Sequence, residues 1–503
     1  MPPRGLPGNA NLEQLKKGAK SFQRTVRAGD PGAAEVVREF HPRLGQASAG
    51  SPELTAFTRA DAQLVVARSF NFPSWPKLKA YLELVQEYAR SPHDQPTGES
   101  IADEQAQAGE LALADEFLRL ACLSYGGDDP ARWAKARELL EANPQLARAN
   151  IYTLAATGDV AATRELLGRD PAQARAEGGP HQWEPLLYLT YSRLGGTSPE
   201  RSALEVARLL LEHGADPNAG YLWEGLSPPF TVLTGAFGSG EGDSPAHPDG
   251  MALARLLLEH GADANDEQTL YNCQWLPDDA WLELLFEFGL GTGNGGRWHR
   301  LLAPTHATPA QMLEDQLMAA AHHGFASRVR LLLAHGVDPE IRARHPIYEA
   351  RTPAQEAALW GYPEIVELLR DAGARSRLDE VDTFLAASMT GDRARTADLL
   401  AADPSLRERA IARSPDQLVH AAERNSLDAV ALLIDLGFDV NARNRTAPLH
   451  EAAMRGNIEI IRLLIEHGAD PNARDRSYNA TPRGWAEHHG QTDAERCLAA
   501  LES

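Results

Sequence analysis

Four histidines recur at one position of a repeated segment, and imidazole is a common ligand of zinc. They are His213, His260, His335 and His467, and each follows a leucine-rich run. Zinc needs ligands at about 2 Å, whereas stacked helices lie about 8–10 Å apart. Equivalent positions in neighbouring repeats therefore cannot share one ion. We interpret these histidines as helix-end residues, which favour the negative end of the helix dipole when charged.

Two further motifs resemble parts of enzyme sites but lack essential features. His450-Glu451 begins like the zinc-peptidase motif HExxH, but Met454 stands where the second histidine would be. Residues 291–296 match G-x-G-x-x-G, but a dinucleotide site needs this motif after a strand, and here an apparent helix precedes it. The sequence has no Gly-Lys-Ser/Thr phosphate loop, no Gly-x-Ser-x-Gly, no paired CxxC and no calcium loop. We therefore expect no catalytic, cofactor or metal site, and a protein that is not an enzyme.

Aromatic side chains gather between residues 181 and 300, where five of the nine tryptophans lie. Aromatic residues contribute much of the binding energy at protein interfaces. They also fill irregular cores, and the sequence leaves both interpretations open. As candidate partner-binding residues we select Tyr221, Trp223, Tyr271, Trp275 and Trp298.

Charge and cysteine content restrict the class of protein. The chain of 503 residues has a net charge of −21, which disfavours general binding of nucleic acid because the phosphates would be repelled. Residues 1–90 differ, with 13 basic against 8 acidic side chains. Cys122, Cys273 and Cys497 are far apart and odd in number, so we expect free thiols. Neither a signal core nor an apolar run of bilayer length is found. With a composition rich in Ala, Arg, Gly and Pro, this favours a bacterial cytoplasmic protein.

The first 90 residues predict a small helical domain. Apolar residues recur at helical spacing over 12–26 and 61–70, and a further helix is predicted over 75–90. The basic bias allows a helix-turn-helix that binds DNA, but the apolar stripe of the last helix is typical of one that faces a core. Docking against the rest of the chain, or binding of a partner, is the favoured interpretation. Residues 91–110 are polar and contain Pro and Gly, which predicts a linker.

A repeated segment dominates the rest of the chain. Its clearest copies are LLLEHGADPN (209–218), LLLEHGADAN (256–265), LLLAHGVDPE (331–340) and LLIEHGADPN (463–472). With the weaker copies between them, the glycines indicate a unit of roughly 33 residues. The first half of the unit carries a Thr-Pro helix start, a pair of alanines and a glycine. This order favours two short helices that pack closely.

These features resemble the ankyrin repeat family. The resemblance is specific at 181–266 and 310–503, looser at 111–180, and interrupted at 267–309. The stretch 61–83 is also similar to a short helical module that precedes ankyrin arrays in some bacterial proteins. The resemblance implies an elongated stack of helix pairs that binds partners through its concave face and loop tips. It implies no particular reaction.

We therefore predict an all-α fold, an ankyrin-repeat solenoid of stacked helix pairs preceded by a small N-terminal helical domain. The predicted divisions are an N-terminal domain (1–90), a linker (91–110), the array (111–479) and a capping repeat (480–503). The predicted function is a non-enzymatic scaffold that binds another protein, with segment 219–310 as the candidate for specificity. Two alternatives stay open: an enzyme or small-molecule sensor with a pocket in 219–310, and a DNA-linked regulator that acts through residues 11–90.

Overall fold

The computed structural model describes residue 6 and residues 10–91, 105–195, 200–240 and 244–501. The chain divides into two compact units, residues 1–312 (unit 1) and residues 313–503 (unit 2). Most of the described residues are helical, which confirms the all-α fold class. None of these described helices is both long and apolar enough to cross a membrane. Of the predicted linker, residues 92–104 lie outside the described residues, and a helix begins at Gln105.

Five helices form the N-terminal part of unit 1. They are α1 (Leu12–Arg27), α2 (Pro31–Phe40), α3 (Pro52–Thr55), α4 (Arg59–Ser69) and α5 (Trp75–Tyr88). Asn11, Asp30 and Thr58 cap α1, α2 and α4, because each side chain accepts a hydrogen bond from an amide of the first turn. The helices enclose two small apolar cores, one around Phe57 and the other around Leu78.

The remaining described helices of unit 1 follow one another mostly in pairs. They are α6 (Gln105–Ala121), α7 (Pro130–Ala142), α8 (Ile151–Thr157), α9 (Val160–Arg169), α10 (Pro185–Tyr191), α11 (Ala203–Glu212), α12 (Val232–Phe237), α13 (Gly250–Glu259), α14 (Glu267–Cys273), α15 (Ala280–Glu287) and α16 (Arg297–Leu302). The first helices of successive pairs, α8, α10, α12 and α14, lie side by side, and α11 lies between α9 and α13. Each pair therefore buries its apolar side against its neighbours.

A short sheet joins the N-terminal helices to the rest of unit 1. The strand β1 (Ala89–Arg90) runs parallel to β2 (Gly220–Trp223), and β2 pairs antiparallel with β3 (Phe230–Thr231). Gly220 permits this pairing, because a Cβ there would lie only 2.8 Å from the carbonyl oxygen of Phe230. The helical period of the surrounding repeats did not predict these strands.

One side of α5 is packed against this part of unit 1. Tyr81 and Val85 contact an apolar cluster that contains Trp298 and Leu302. Tyr88, the last residue of α5, meets the Trp298 ring edge-on, with ring centroids 5.0 Å apart. A helix-turn-helix interpretation would need α5 to enter a DNA groove, and this side of the helix is already covered.

Unit 2 repeats the paired arrangement, with an additional helix, Leu406–Arg413, between two of its pairs. Its helices are α17 (Pro309–His323), in which the unit boundary falls, α18 (Ala326–Ala334), α19 (Pro353–Leu359), α20 (Pro363–Asp371), α21 (Glu380–Met389), α22 (Arg393–Ala402), α23 (Leu406–Arg413), α24 (Gln417–Glu423), α25 (Leu427–Asp435), α26 (Pro448–Arg455), α27 (Ile458–Glu466), α28 (Pro482–His488) and α29 (Thr492–Ala499). Helix α26 lies between α24 and α28, and α27 lies between α25 and α29.

Local sequence explains where the unit 2 helices begin and end. Thr352 starts α19 with a capping box, in which its side chain and that of Gln355 each accept a hydrogen bond from the other's backbone amide. Gly456 ends α26 with a φ of 69°, in the left-handed region that suits glycine. Between neighbouring pairs, the fully buried Ala452 and Ala453 let the helices approach closely.

A buried arginine joins three segments of unit 1. Arg193 is 4% exposed, and its guanidinium donates hydrogen bonds of 2.7–2.9 Å to the carbonyl oxygens of Thr190, Ser192, Gly235 and Pro245. Burial lowers the pKa of Arg193 to about 10, so the side chain is charged at neutral pH. The charge is held by backbone dipoles of α10, of α12 and of the loop after α12.

We expect Arg193→Met to destabilise unit 1 by about 3 kcal/mol or more, because it leaves buried carbonyl oxygens without a donor. Urea unfolding of the full chain, with hydrogen exchange of the peptides around residues 190 and 235, measures this loss. The control is Arg208→Met, which removes an exposed arginine paired with Glu205 and should change stability by less than about 1 kcal/mol. Equal losses in the two variants would contradict the structural role of Arg193.

Candidate functional site

The histidines that could have been zinc ligands lie at the ends of separate helices. In His213, His260 and His467, Nδ1 lies 2.8–2.9 Å from the carbonyl oxygen four residues earlier. Each ring is thus bonded within its own last helical turn. His450 bonds backbone groups through both ring nitrogens, and residues 291–296 form a loop between α15 and α16. In the described part of the chain, no three or more His, Cys, Asp or Glu residues are arranged to hold a metal ion.

Two of the five aromatic residues selected from the sequence lie in the core of unit 1. Tyr221 is 1% exposed, and its ring stacks on those of Trp183 at 4.9 Å and Phe230 at 5.7 Å. Trp298 is 6% exposed, and its indole N–H donates to the carbonyl oxygen of Asn218 at 3.0 Å. The structure corrects the expectation that these two residues present a binding surface. Tyr221 is enclosed because the rings of Trp183, Tyr191 and Phe230 pack around it, and Trp298 is enclosed because α5 packs against it.

The other three aromatic residues keep accessible surface. Tyr271 and Trp275, at the end of α14, are 40% and 37% exposed. Their rings meet edge-on with centroids 6.1 Å apart. Trp223 is half-buried, and its indole N–H donates to the carbonyl oxygen of Ser124 at 3.1 Å. The structure therefore brings Tyr271 and Trp275 together as an exposed aromatic pair, and their role in partner binding stays a prediction.

Unit 2 contains a continuous row of rings that the sequence did not reveal. This ring row consists, in spatial order, of His345, Tyr348, His322, Trp360 and His420. Neighbouring ring centroids lie 6.2, 5.6, 4.3 and 4.7 Å apart in that order. The rings of Trp360 and His420 are stacked, whereas His322 meets Trp360 edge-on. All five residues keep accessible surface.

A buried carboxylate holds the middle of the ring row in place. Glu356, 2% exposed, accepts hydrogen bonds from the Trp360 indole at 2.9 Å and from Arg351 at 3.3 Å, and lies 2.8 Å from Nδ1 of His322. Burial alone would raise the pKa of Glu356, but the hydrogen bond and charge of His322, together with Arg351, lower it. Burial lowers the pKa of His420, so that ring is uncharged at neutral pH.

The ring row was missed because its members come from distant parts of the sequence. Helices α17, α19 and α24 supply His322, Trp360 and His420, and the loop before α19 supplies the other two rings. One feature of the sequence could have revealed part of the ring row. In each of two units a glycine ends the first helix, Gly324 in one and Gly361 in the other, and His322 and Trp360 lie within two residues of these glycines. Aligning the units on that glycine places both side chains near the same helix end.

The comparisons with known proteins identify part of unit 2. A family model described as ankyrin repeats, in three copies, matches residues 384–475. This segment runs from within α21 to the loop after α27. The match confirms the resemblance inferred from the repeated sequence. No curated protein matches the chain.

We expect Glu356→Gln to destabilise unit 2 by about 1–3 kcal/mol at pH 7, because charged acceptors form the stronger hydrogen bonds. Since folding lowers the pKa of Glu356, its contribution is present above the ordinary value of 4.5 and is lost as the pH falls below it. The variant should therefore show a smaller loss of stability on acidification than the wild type.

Urea unfolding at pH 7 and at pH 4, followed by circular dichroism, measures both effects. The control is Glu364→Gln, which removes an exposed carboxylate paired with Arg330 and should change stability by less than about 1 kcal/mol. If Glu356→Gln behaved like this control, the bonds around Glu356 would not hold the ring row.

Proposed function

Because the chain contains ankyrin repeats at residues 384–475, we propose that it is a non-enzymatic scaffold that binds another protein. Ankyrin repeats generally mediate protein–protein interactions. Stacked repeats do so because successive units present one continuous surface to a partner. We place the main contact surface of this scaffold on the ring row of unit 2.

The partial exposure and rigidity of the ring row support this proposal. Aromatic side chains gain much of their binding energy when they are ordered before binding and only partly buried in the free protein. Trp360 meets this requirement, because its ring is stacked on His420 and its indole N–H is fixed by Glu356. A partner would then cover ring faces and edges without having to order them.

The exposed pair Tyr271 and Trp275 is our candidate for a second contact, in unit 1. Tyr221 and Trp298, two of the candidates in segment 219–310, belong to the core. The candidates that keep accessible surface are therefore this pair and Trp223. Two adjacent aromatic rings with more than a third of their surface exposed are typical of a small interface anchor.

A cavity in segment 219–310 gives little support to the enzyme or sensor alternative. It is lined by Asn218, Asp266, Trp298 and His306, among others, and its volume is about 10 Å³. That is the space of about one water molecule, whereas a ligand pocket typically measures about 300–1,000 Å³. The DNA-linked alternative is weakened by the covered side of α5.

Replacing Trp360 should weaken binding of the partner by about tenfold or more, since a buried interface tryptophan is typically worth about 2 kcal/mol. The partner is first identified by affinity capture with the full chain from its source cells, followed by mass spectrometry. Titration calorimetry then compares Trp360→Ala, His420→Ala and Tyr271→Ala/Trp275→Ala with the wild type.

Leu427→Ala, which trims an exposed side chain on α25 that is 37% exposed, is the matched control and should bind as the wild type does. Circular dichroism establishes that each variant is folded at the assay temperature. Unchanged affinity in both folded ring-row variants, Trp360→Ala and His420→Ala, would refute the placement of the contact surface.

A further inference from the structure

We infer that two neighbouring loops of unit 2 form a site for an acidic, extended segment of the partner protein. These finger loops are residues 439–447, before α26, and residues 470–481, before α28. Each carries an Arg-x-Arg motif, Arg443 with Arg445 and Arg474 with Arg476. The inference rests on the proposed function, because it specifies the chemistry of the partner that the scaffold binds.

The four arginines are exposed on neighbouring segments of the two finger loops. Arg443 and Arg445 are exposed, while Ala442 and Thr446 on either side of them are buried. Arg474 and Arg476 are likewise exposed, with the buried Asp475 between them. Both motifs lie where the loop backbone bends, at residues 444–446 and 476–478. The amide of Arg476 donates to the carbonyl oxygen of Arg445 at 3.0 Å, so the two motifs lie side by side.

The acidic residue inside the second motif is directed away from the arginines. Asp475 is 6% exposed, and its carboxylate accepts hydrogen bonds from the amides of Ser477, Tyr478 and Ala480 and from the indole N–H of Trp485. Burial alone would raise the pKa of Asp475, but these bonds lower it to about 2. The carboxylate therefore stiffens the loop and is already occupied by four donors.

Three of the four arginines have no ion-pair partner among the described residues. Arg443, Arg445 and Arg476 form no salt bridge there, and Arg474 donates to the backbone oxygen of Asn479 at 2.7 Å. The residue between the first pair, Asn444, is uncharged. The finger loops thus present four exposed arginines, three of which form no salt bridge with the described residues.

Carboxylates on an extended chain match this surface. A guanidinium binds a carboxylate through two parallel hydrogen bonds. Residues two apart in an extended partner segment lie about 6.6–6.8 Å apart, so acidic residues at every second position can each meet a different arginine of the finger loops. Tyr478, whose side chain is 74% exposed, lies beside the arginines and offers a ring for an apolar neighbour of those acids.

The charge around the finger loops favours a peptide over a nucleic acid. Unit 2 has 22 basic residues, all arginine, against 30 acidic ones. Behind the loops lie the buried Glu451 and the partly buried Glu423, whose carboxyl groups interact electrostatically with Arg445. A long polyanion would extend beyond the arginines onto a net acidic surface and be repelled, whereas a short acidic segment contacts only the finger loops.

Fluorescence anisotropy of the full chain with a labelled peptide of alternating glutamate and glycine tests the site. We expect saturable binding at low salt, weakened by added salt and weakened about tenfold or more in Arg443→Gln/Arg445→Gln, because each charged hydrogen bond contributes about 1.5–3 kcal/mol. The matched control is Arg370→Gln/Arg462→Gln, which removes two exposed arginines of α20 and α27 and should leave binding unchanged.

Three further experiments distinguish an acidic peptide from a nucleic acid as the ligand, and distinguish failure of this inference from failure of the proposed function. A peptide of alternating glutamine and glycine should not bind. Tighter binding of a single-stranded oligonucleotide than of the acidic peptide would overturn the inference in favour of nucleic acid. Absence of peptide binding, or equal weakening by the control variant, would also overturn it. Capture of a partner that depends on Trp360 but not on Arg443 and Arg445 would refute this inference and leave the proposed function standing.

Discussion

Each helix pair of this chain can bury its apolar side only against the pairs next to it, and the rest of the structure depends on that constraint. The pairs around α24, α26 and α28 show how it is met. Ala421, Ala422, Ala452 and Ala453 are fully buried between them, so the backbones approach without voids. Leu433 and Leu464 on the second helices close the same core from the other side. The sides of the helix pairs that do not face a neighbouring pair stay accessible to other molecules.

Where the repeat pattern weakens, unit 1 is held together by different interactions. Between α10 and α14 the alanine pairs give way to large rings, with Trp183, Tyr191 and Tyr221 mutually in contact. Arg193 supplies the donors that the interrupted backbone would otherwise lack. The same rings that suggested a binding surface are therefore required to complete the core.

The positions of the helices could be predicted from the sequence, but the exposure of individual aromatic side chains could not, because helix ends depend on local residues and burial depends on distant ones. Thr352 and Gly456 act locally, through a cap and a left-handed residue, so their effect can be read without knowing the neighbours. The burial of Tyr221 depends on β3 and Trp183, and the burial of Trp298 depends on α5, more than two hundred residues earlier in the chain. The ring row likewise forms only when α17, α19 and α24 are placed together. Residue type shows that a side chain can anchor a partner but not whether its own chain has already covered it.

Two buried carboxylates of unit 2 order groups that lie at or near the surface. Glu356, in α19, and Asp475, in the second finger loop, are both nearly inaccessible, and both accept hydrogen bonds from neighbouring groups of unit 2. Glu356 fixes the tryptophan ring of the ring row, and Asp475 fixes the backbone of the loop that carries Arg474 and Arg476. A carboxylate on the outside would have neutralised those arginines, and an apolar residue in its place would have left the loop amides without acceptors. Groups that are ordered before binding lose the least conformational entropy, so the acids that order these segments also influence what the surface can bind.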